Sequence, residues 1–255
     1  ECFNEWVQEL KENNYLHNHT RMWFASIWIF TLELPWQLGA EFFIHYLYDG
    51  DAASNTLSWR WVAGIQTQGK NYLASEWNIK KFTNNRFNNI KLNENSPAKV
   101  GFKTYSVIKQ DFINPDSFEQ KNLLVFDNNL SFEFTEFKDQ KFKKIFLISN
   151  TNENREIKLS ENLIKFKTSL LEDQKKRLEA KSIDCEIVDI SETQTLDNSY
   201  ALYPSIGENL DYLKLKELEN IKFLYRKLDQ FSWKYCNKGF FYFKNYIPKI
   251  ISKFI

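Results

Sequence analysis

Only three cysteines occur in 255 residues, and Cys2, Cys185 and Cys236 lie far apart, in no CxxC pair. They supply neither a disulfide framework nor a zinc or iron–sulfur motif, and they fit a reducing, cytoplasmic setting. An excess of one charge is lacking as well: 34 basic against 33 acidic side chains leave a net +1. No global field therefore points to a polyanion, although a flat balance leaves room for a local basic groove. Long apolar runs are absent. The longest, Met22 to Leu32, has 11 residues against the roughly 20 that a bilayer span requires, and Glu33 and Pro35 follow it. The first residues lack the charged, apolar, small-residue order of a secretion signal. Neither GxGxxG nor a P-loop occurs, which removes two glycine-rich phosphate cradles. The seven glycines are scattered singly, with none between Gly101 and Gly207.

Aromatic residues are abundant, at 17% of the chain. Seven of the eight tryptophans (Trp6, Trp23, Trp28, Trp36, Trp59, Trp61 and Trp77) lie in the first third, and only Trp233 lies beyond it. With the glycine gap, this asymmetry implies two different modules. In the first, Phe3 to Lys11 reads as an amphipathic helix ended by Asn13-Asn14. A second helix is expected from Asn18 or His19 to Leu32, where Pro35 forces a stop. A third spans Gln37 to Tyr48, with Leu38, Phe42, His45 and Tyr46 on one face, and a fourth runs from Asp51–Ser54 to Val62. Residues 84–99, rich in Asn, Lys and Glu and holding Pro97, have linker composition.

Beyond residue 119 short β-type runs (123–126, 145–149, 186–190, 200–203, 221–225) alternate with helical patterns at 160–180 and 208–218. Alternation of that kind predicts a largely parallel sheet with helices on its faces. The fold class expected is thus α followed by α/β: a helical module over 1–95, a linker over 96–118 and a Rossmann-like α/β module of unassigned role over 119–255. Phe240 to Phe243 read as core, and the Lys-rich helix from Lys165 to Lys181 as a solvated face.

The informative stretch is Tyr15-Leu16-His17-Asn18-His19-Thr20-Arg21-Met22, then Leu34-Pro35-Trp36-Gln37-Leu38-Gly39, Asp49-Gly50-Asp51-Ala52-Ala53-Ser54-Asn55 and Trp59-Arg60-Trp61-Val62-Ala63-Gly64. In order, spacing and residue type it closely resembles the C-terminal half of the flavin domain of DNA photolyases and cryptochromes. Ala25-Ser26 and Gly69 to Ala74 extend the likeness, which covers roughly residues 1–90. The chain opens at Glu1 directly in a helical pattern, and is read as a piece whose upstream part, with most phosphate and adenine contacts, is not present.

The resemblance implies FAD as cofactor. It places Arg21 and Asp49 as an ion pair beside the flavin ring, Asp51 at the ring's polar edge, Asn55 facing the ring nitrogen that is protonated on reduction, and Asn18 as a further carboxamide. Physical chemistry runs alongside. Arg21 and Asp49 are each costly to bury alone, and a fully buried pair would lose about 3–5 kcal/mol on breaking. Asp51 also reads as the N-cap of the next helix. Carboxamides both donate and accept, and so serve several redox states of one ring.

Trp59 and Trp36 match the proximal and middle members of the family's electron relay, whereas Trp23, Trp28 and Trp6 read as core bulk. Met22 and Trp61 match the mouth of the lesion pocket, where a flipped pyrimidine dimer would stack. The activity implied is light-driven, FAD-dependent repair of damaged DNA. A cryptochrome-like photoreceptor signalling to a partner through the second module is the alternative, and Asn55 resembles the repair branch. No membrane partner is expected. No metal is expected either: His17 and His19, two apart on a helix, point to different faces, and no further ligands accompany them.

Overall fold

The computed structural model describes residues 1–67, 69–101, 114–115, 118–196, 198–216, 218 and 221–254; of the expected linker, 102–113 and 116–117 lie outside these. Its contacts form two units. The first is Glu1–Thr104 with Arg155–Phe166 and Ile206–Glu208, and the second is Tyr105–Asn154 with Lys167–Ser205 and Asn209–Ile255.

In the first unit, α1 (Cys2–Asn13) buries Cys2, Trp6 and Leu10, a single stripe at helical spacing. Asn14 ends it in the left-handed conformation, φ 54°, which Asn tolerates better than most residues. That Asn is fully buried. Its amide donates to Tyr46 O (2.7 Å), and its backbone carbonyl accepts from Tyr48 N–H (3.0 Å). A residue expected only to break a helix therefore also ties the ends of two helices together.

The second helix, α2 (Asn18–Ser26), is capped by the His17 ring, which accepts from His19 N–H. A regular helix to Leu32 was expected, and the structure corrects this. Ile27–Thr31 widens into a π turn, in which Leu32 N–H bonds Ile27 O at 2.8 Å, five residues back. Ile27, Ile29 and Phe30 are all buried there.

Next, α3 (Trp36–Tyr46) buries Gly39, Ala40 and Phe43, whereas Leu38 is 53% exposed and Phe42 and Tyr46 are half-buried. The face drawn from Leu38, Phe42, His45 and Tyr46 is therefore not the buried one. The reason is α4 (Ala52–Val62), whose Trp59 ring lies so close that a Cβ on Gly39 would stand 2.2 Å from its Cη2. A seven-residue helix, α5 (Glu76–Phe82), was not anticipated. It buries only Ile79, is capped by Ser75, and is held by Trp23 Nε1 donating to Asn78 Oδ1 (2.8 Å).

The second unit holds five parallel strands, β1 (Asn122–Phe126), β2 (Lys144–Ser149), β3 (Cys185–Asp189), β4 (Ser199–Leu202) and β5 (Lys222–Leu224), in the order β3-β2-β1-β4-β5. Alternate residues of β1 feed two cores. Leu123 and Val125 pack with Leu171 and Leu178 of α6 (Glu161–Glu179), while Leu124 and Phe126 pack with Tyr212 and Leu213 of α7 (Glu208–Leu215). Burial on both faces explains why β1 reads as an unbroken apolar run.

Asp127, buried at the end of β1, accepts from Lys167 Nζ (3.1 Å) and from Asn209 Nδ2 (2.8 Å). Three helices close the chain, α8 (Lys227–Trp233), α9 (Phe240–Lys244) and α10 (Ile247–Phe254). Phe240 and Phe241 on α9 are 65% and 83% exposed, so the expectation that this aromatic run is core is corrected.

Gly39→Ala tests the α3–α4 contact. Alanine ordinarily gains about 1 kcal/mol over glycine inside a helix, whereas forcing atoms into a packed contact costs about 1–3 kcal/mol. The expected result is a lower urea midpoint, with the sign opposite to an ordinary helical Gly→Ala; a raised midpoint would show that the contact is not tight.

Candidate functional site

Two helical faces carry six of the nine residues singled out from the sequence. On α2, Asn18, Arg21 and Met22 are spaced i, i+3 and i+4; on α4 and its cap, Asp51, Asn55 and Trp59 are spaced i, i+4 and i+8. Arg21 is held three ways. Its Nε donates to Leu16 O (2.7 Å), its Nη2 to Asp49 Oδ2 (3.0 Å), and its guanidinium lies over the Tyr15 ring at 5.1 Å. The Arg21 and Asp49 side chains are 23% and 57% exposed, so the pair is not a buried one.

Asp49-Gly50-Asp51 forms the turn into α4, and Asp51 Oδ1 accepts from Ser54 N–H at 2.7 Å as a true N-cap. One turn on, half-buried Asn55 donates through Nδ2 to Ala40 O on α3 (2.8 Å), which fixes its amide orientation. Its Oδ1 has no hydrogen-bond donor among the described residues.

Trp59 follows on the same face, 2% exposed, packed edge-on against Phe43 (5.0 Å), Trp28 (6.2 Å) and Phe24 (6.5 Å). Among the described residues its indole N–H is buried with no acceptor, an arrangement that costs about 1–3 kcal/mol. Trp36 is not in ring contact with Trp59; its ring faces the Arg60 guanidinium at 5.9 Å. Trp61, two residues beyond Trp59, is 39% exposed and stacked on Tyr72 at 5.8 Å. Met22 is half-buried, Asn18 exposed.

The sequence reading missed three features: the Gly39-Ala40 seat for Trp59 and Asn55, the Tyr72 platform under Trp61, and the contact between Trp28 and Trp59. Trp28 is half-buried, packed against the core of the first unit and anchored by Nε1 to Pro35 O (2.9 Å). Only the first feature had a signal, the adjacent small residues in an otherwise bulky helix.

Comparison with known proteins bears on the same stretch. Residues 6–95 match the family model described as the FAD binding domain of DNA photolyase. A deoxyribodipyrimidine photo-lyase of Streptomyces griseus is 43% identical over 61 residues, 24% of this chain and 13% of that protein. One from Buchnera aphidicola subsp. Baizongia pistaciae is 30% identical over 135 residues, 47% of this chain and 28% of that protein. A cryptochrome DASH of Idiomarina loihiensis is 30% identical over 80 residues, 31% and 17% respectively. The chain thus spans less than a third of the length of these relatives. No solved structure matches it significantly. Residues 6–95 thus match the flavin domain of DNA photolyases, and FAD is the cofactor of that domain.

The residues present fit that group. A planar ring with polar edges calls for carboxamides, a fixed guanidinium–carboxylate pair and an aromatic neighbour, and Asn55, Arg21–Asp49 and Trp59 supply these from α2, α4 and the turn before α4. The Trp59 N–H, buried with no acceptor among the described residues, is a donor with capacity left for a partner. Elsewhere, no group of three His, Cys, Asp or Glu among the described residues is arranged to hold a metal ion. No described helix is long and apolar enough to cross a membrane.

Because the Arg21–Asp49 pair is solvent-screened, Asp49→Ala is expected to cost no more than about 1 kcal/mol of folding stability, not the larger loss of a buried pair. Urea denaturation checks this, and a loss above about 3 kcal/mol would mean the pair is sealed from water.

Proposed function

We propose that this chain contributes the ring-facing half of a light-driven, FAD-dependent site that repairs pyrimidine dimers in DNA. The observation that carries the reading is the single face Asp51–Asn55–Trp59, with Asp49 of the preceding turn paired to Arg21 of α2, inside the segment matched to the photolyase flavin domain. When bound and reduced, FAD supplies the light-absorbing electron donor, and the protein supplies orientation and electrostatics.

Arg21 and Asp49 orient the ring through charge. Asp51 accepts a hydrogen bond at its polar edge, and Asn55, locked by Ala40, faces its reducible side with Asn18 as a second carboxamide. Trp59 is the residue suited to pass an electron inward, since an indole ionises more readily than other side chains and this one is rigid in its packing; Trp36 is the next member. Trp61 and Met22 bind the flipped dimer, the exposed Trp61 ring offering a stacking surface backed by Tyr72.

The photoreceptor alternative has one observation of its own, the likeness to a cryptochrome DASH together with an α/β module that carries none of these residues.

Two variants separate the roles, tested where the other half of the flavin site is also present and FAD is bound. Trp59→Phe keeps most of the packing volume but raises the ionisation cost. Photoreduction of oxidised flavin should slow sharply, while chemically pre-reduced protein still repairs. Trp61→Ala should photoreduce normally yet bind dimer-containing DNA about 5- to 150-fold more weakly through lost stacking. Unchanged lesion binding in Trp61→Ala, with photoreduction intact, would replace the repair reading by the photoreceptor one.

A further inference from the structure

The near-zero net charge conceals a segregation. Residues 227–254 carry six lysines against one acidic residue, Asp229, a net +5 in a chain whose total is +1, so the rest is net negative. Asp229 is already engaged by Arg226 (2.7 Å). Lys234, Lys238, Lys244, Lys249 and Lys253 are all exposed, and none forms an ion pair with the described residues. Four of the five instead lie over aromatic rings: Lys253 over Phe231 at 4.2 Å, Lys238 over Tyr242 at 5.2 Å, Lys249 over Tyr235 at 5.7 Å and Lys234 over Phe231 at 5.9 Å. Between them Gly239, at φ 83°, turns the chain into α9, which presents Phe240 and Phe241 to solvent.

We propose that α8, α9 and α10 form a binding surface for single-stranded nucleic acid, distinct from the flavin-facing residues and independent of the repair reading. Unpaired lysines supply a phosphate-tracking surface, and two exposed aromatic rings supply faces for unpaired bases, the two components such binding requires. A duplex keeps its base faces stacked away, so the exposed rings favour single strands. An anionic lipid surface shares the charge but fits the geometry less well. A membrane-lying helix turns its whole apolar stripe outward, whereas α10 leaves Ile251 exposed but buries Ile250 in the protein and sets Phe254 against Phe231 (5.5 Å).

The test is fluorescence anisotropy with an undamaged, labelled thymidine 20-mer, its duplex, and vesicles of phosphatidylserine and phosphatidylcholine, across a salt series. The single strand should bind most tightly, with log K falling by about 0.7 per neutralised phosphate for each unit of log salt. Lys244→Ala with Lys249→Ala should flatten that slope by about 1.4. Phe241→Ala should weaken binding about 5- to 150-fold and leave the slope alone. Both changes are on the surface, and circular dichroism checks that the fold persists.

Trp61→Ala separates this surface from the proposed lesion pocket. It should leave binding of the undamaged strand intact, and loss of binding there would assign the activity to the first unit and overturn the proposal. Equal affinity for duplex with no effect of Phe241→Ala would overturn it as well. So would binding to vesicles without binding to the oligonucleotide.

Discussion

The close approach of α3 and α4 at Gly39 is the constraint on which the site depends. Any side chain there would collide with the Trp59 ring, so glycine is what lets a large indole sit fully buried between two helices. The same approach brings Ala40 O within reach of Asn55 one turn earlier on α4. Burial of Trp59 and orientation of Asn55 are thus two results of one helix contact. The cap made by Asp51 then fixes where α4 begins, and with it the register of every residue on that face.

Much of this was legible in the sequence. Helix starts and stops marked by Asn14, Pro35 and Asp51 were readable because each residue has a local physical reason to stand at a boundary. The parallel sheet was readable from short β-type runs such as Leu123 to Phe126 alternating with helical patterns. The π turn at Ile27–Thr31 was not, because periodicity cannot register one extra residue per turn inside a uniformly apolar stretch. Nor was the buried face of α3. Small residues carry almost no hydrophobic signal, so Leu38 and Phe42 dominated the pattern although Gly39 and Ala40 make the contact.

At the site, residue identities came from motif resemblance, whereas contacts came only from the structure. Arg21 and Asp49 were readable as partners, but their exposure was not, and exposure decides whether the pair contributes to folding or mainly to orientation. The aromatic run at Phe240 to Phe243 misled for a related reason. Composition reads clustered phenylalanines as core, yet flanking Lys238 and Lys244 and the turn at Gly239 leave two of them outside.

Hydrogen–deuterium exchange with and without FAD tests most directly whether α2 and α4 face the flavin. At FAD concentrations that saturate a change in flavin emission, protection should concentrate in residues 16–22 and 49–59. Protection confined to the five-stranded module, or saturable binding that leaves those two stretches unprotected, would contradict the account.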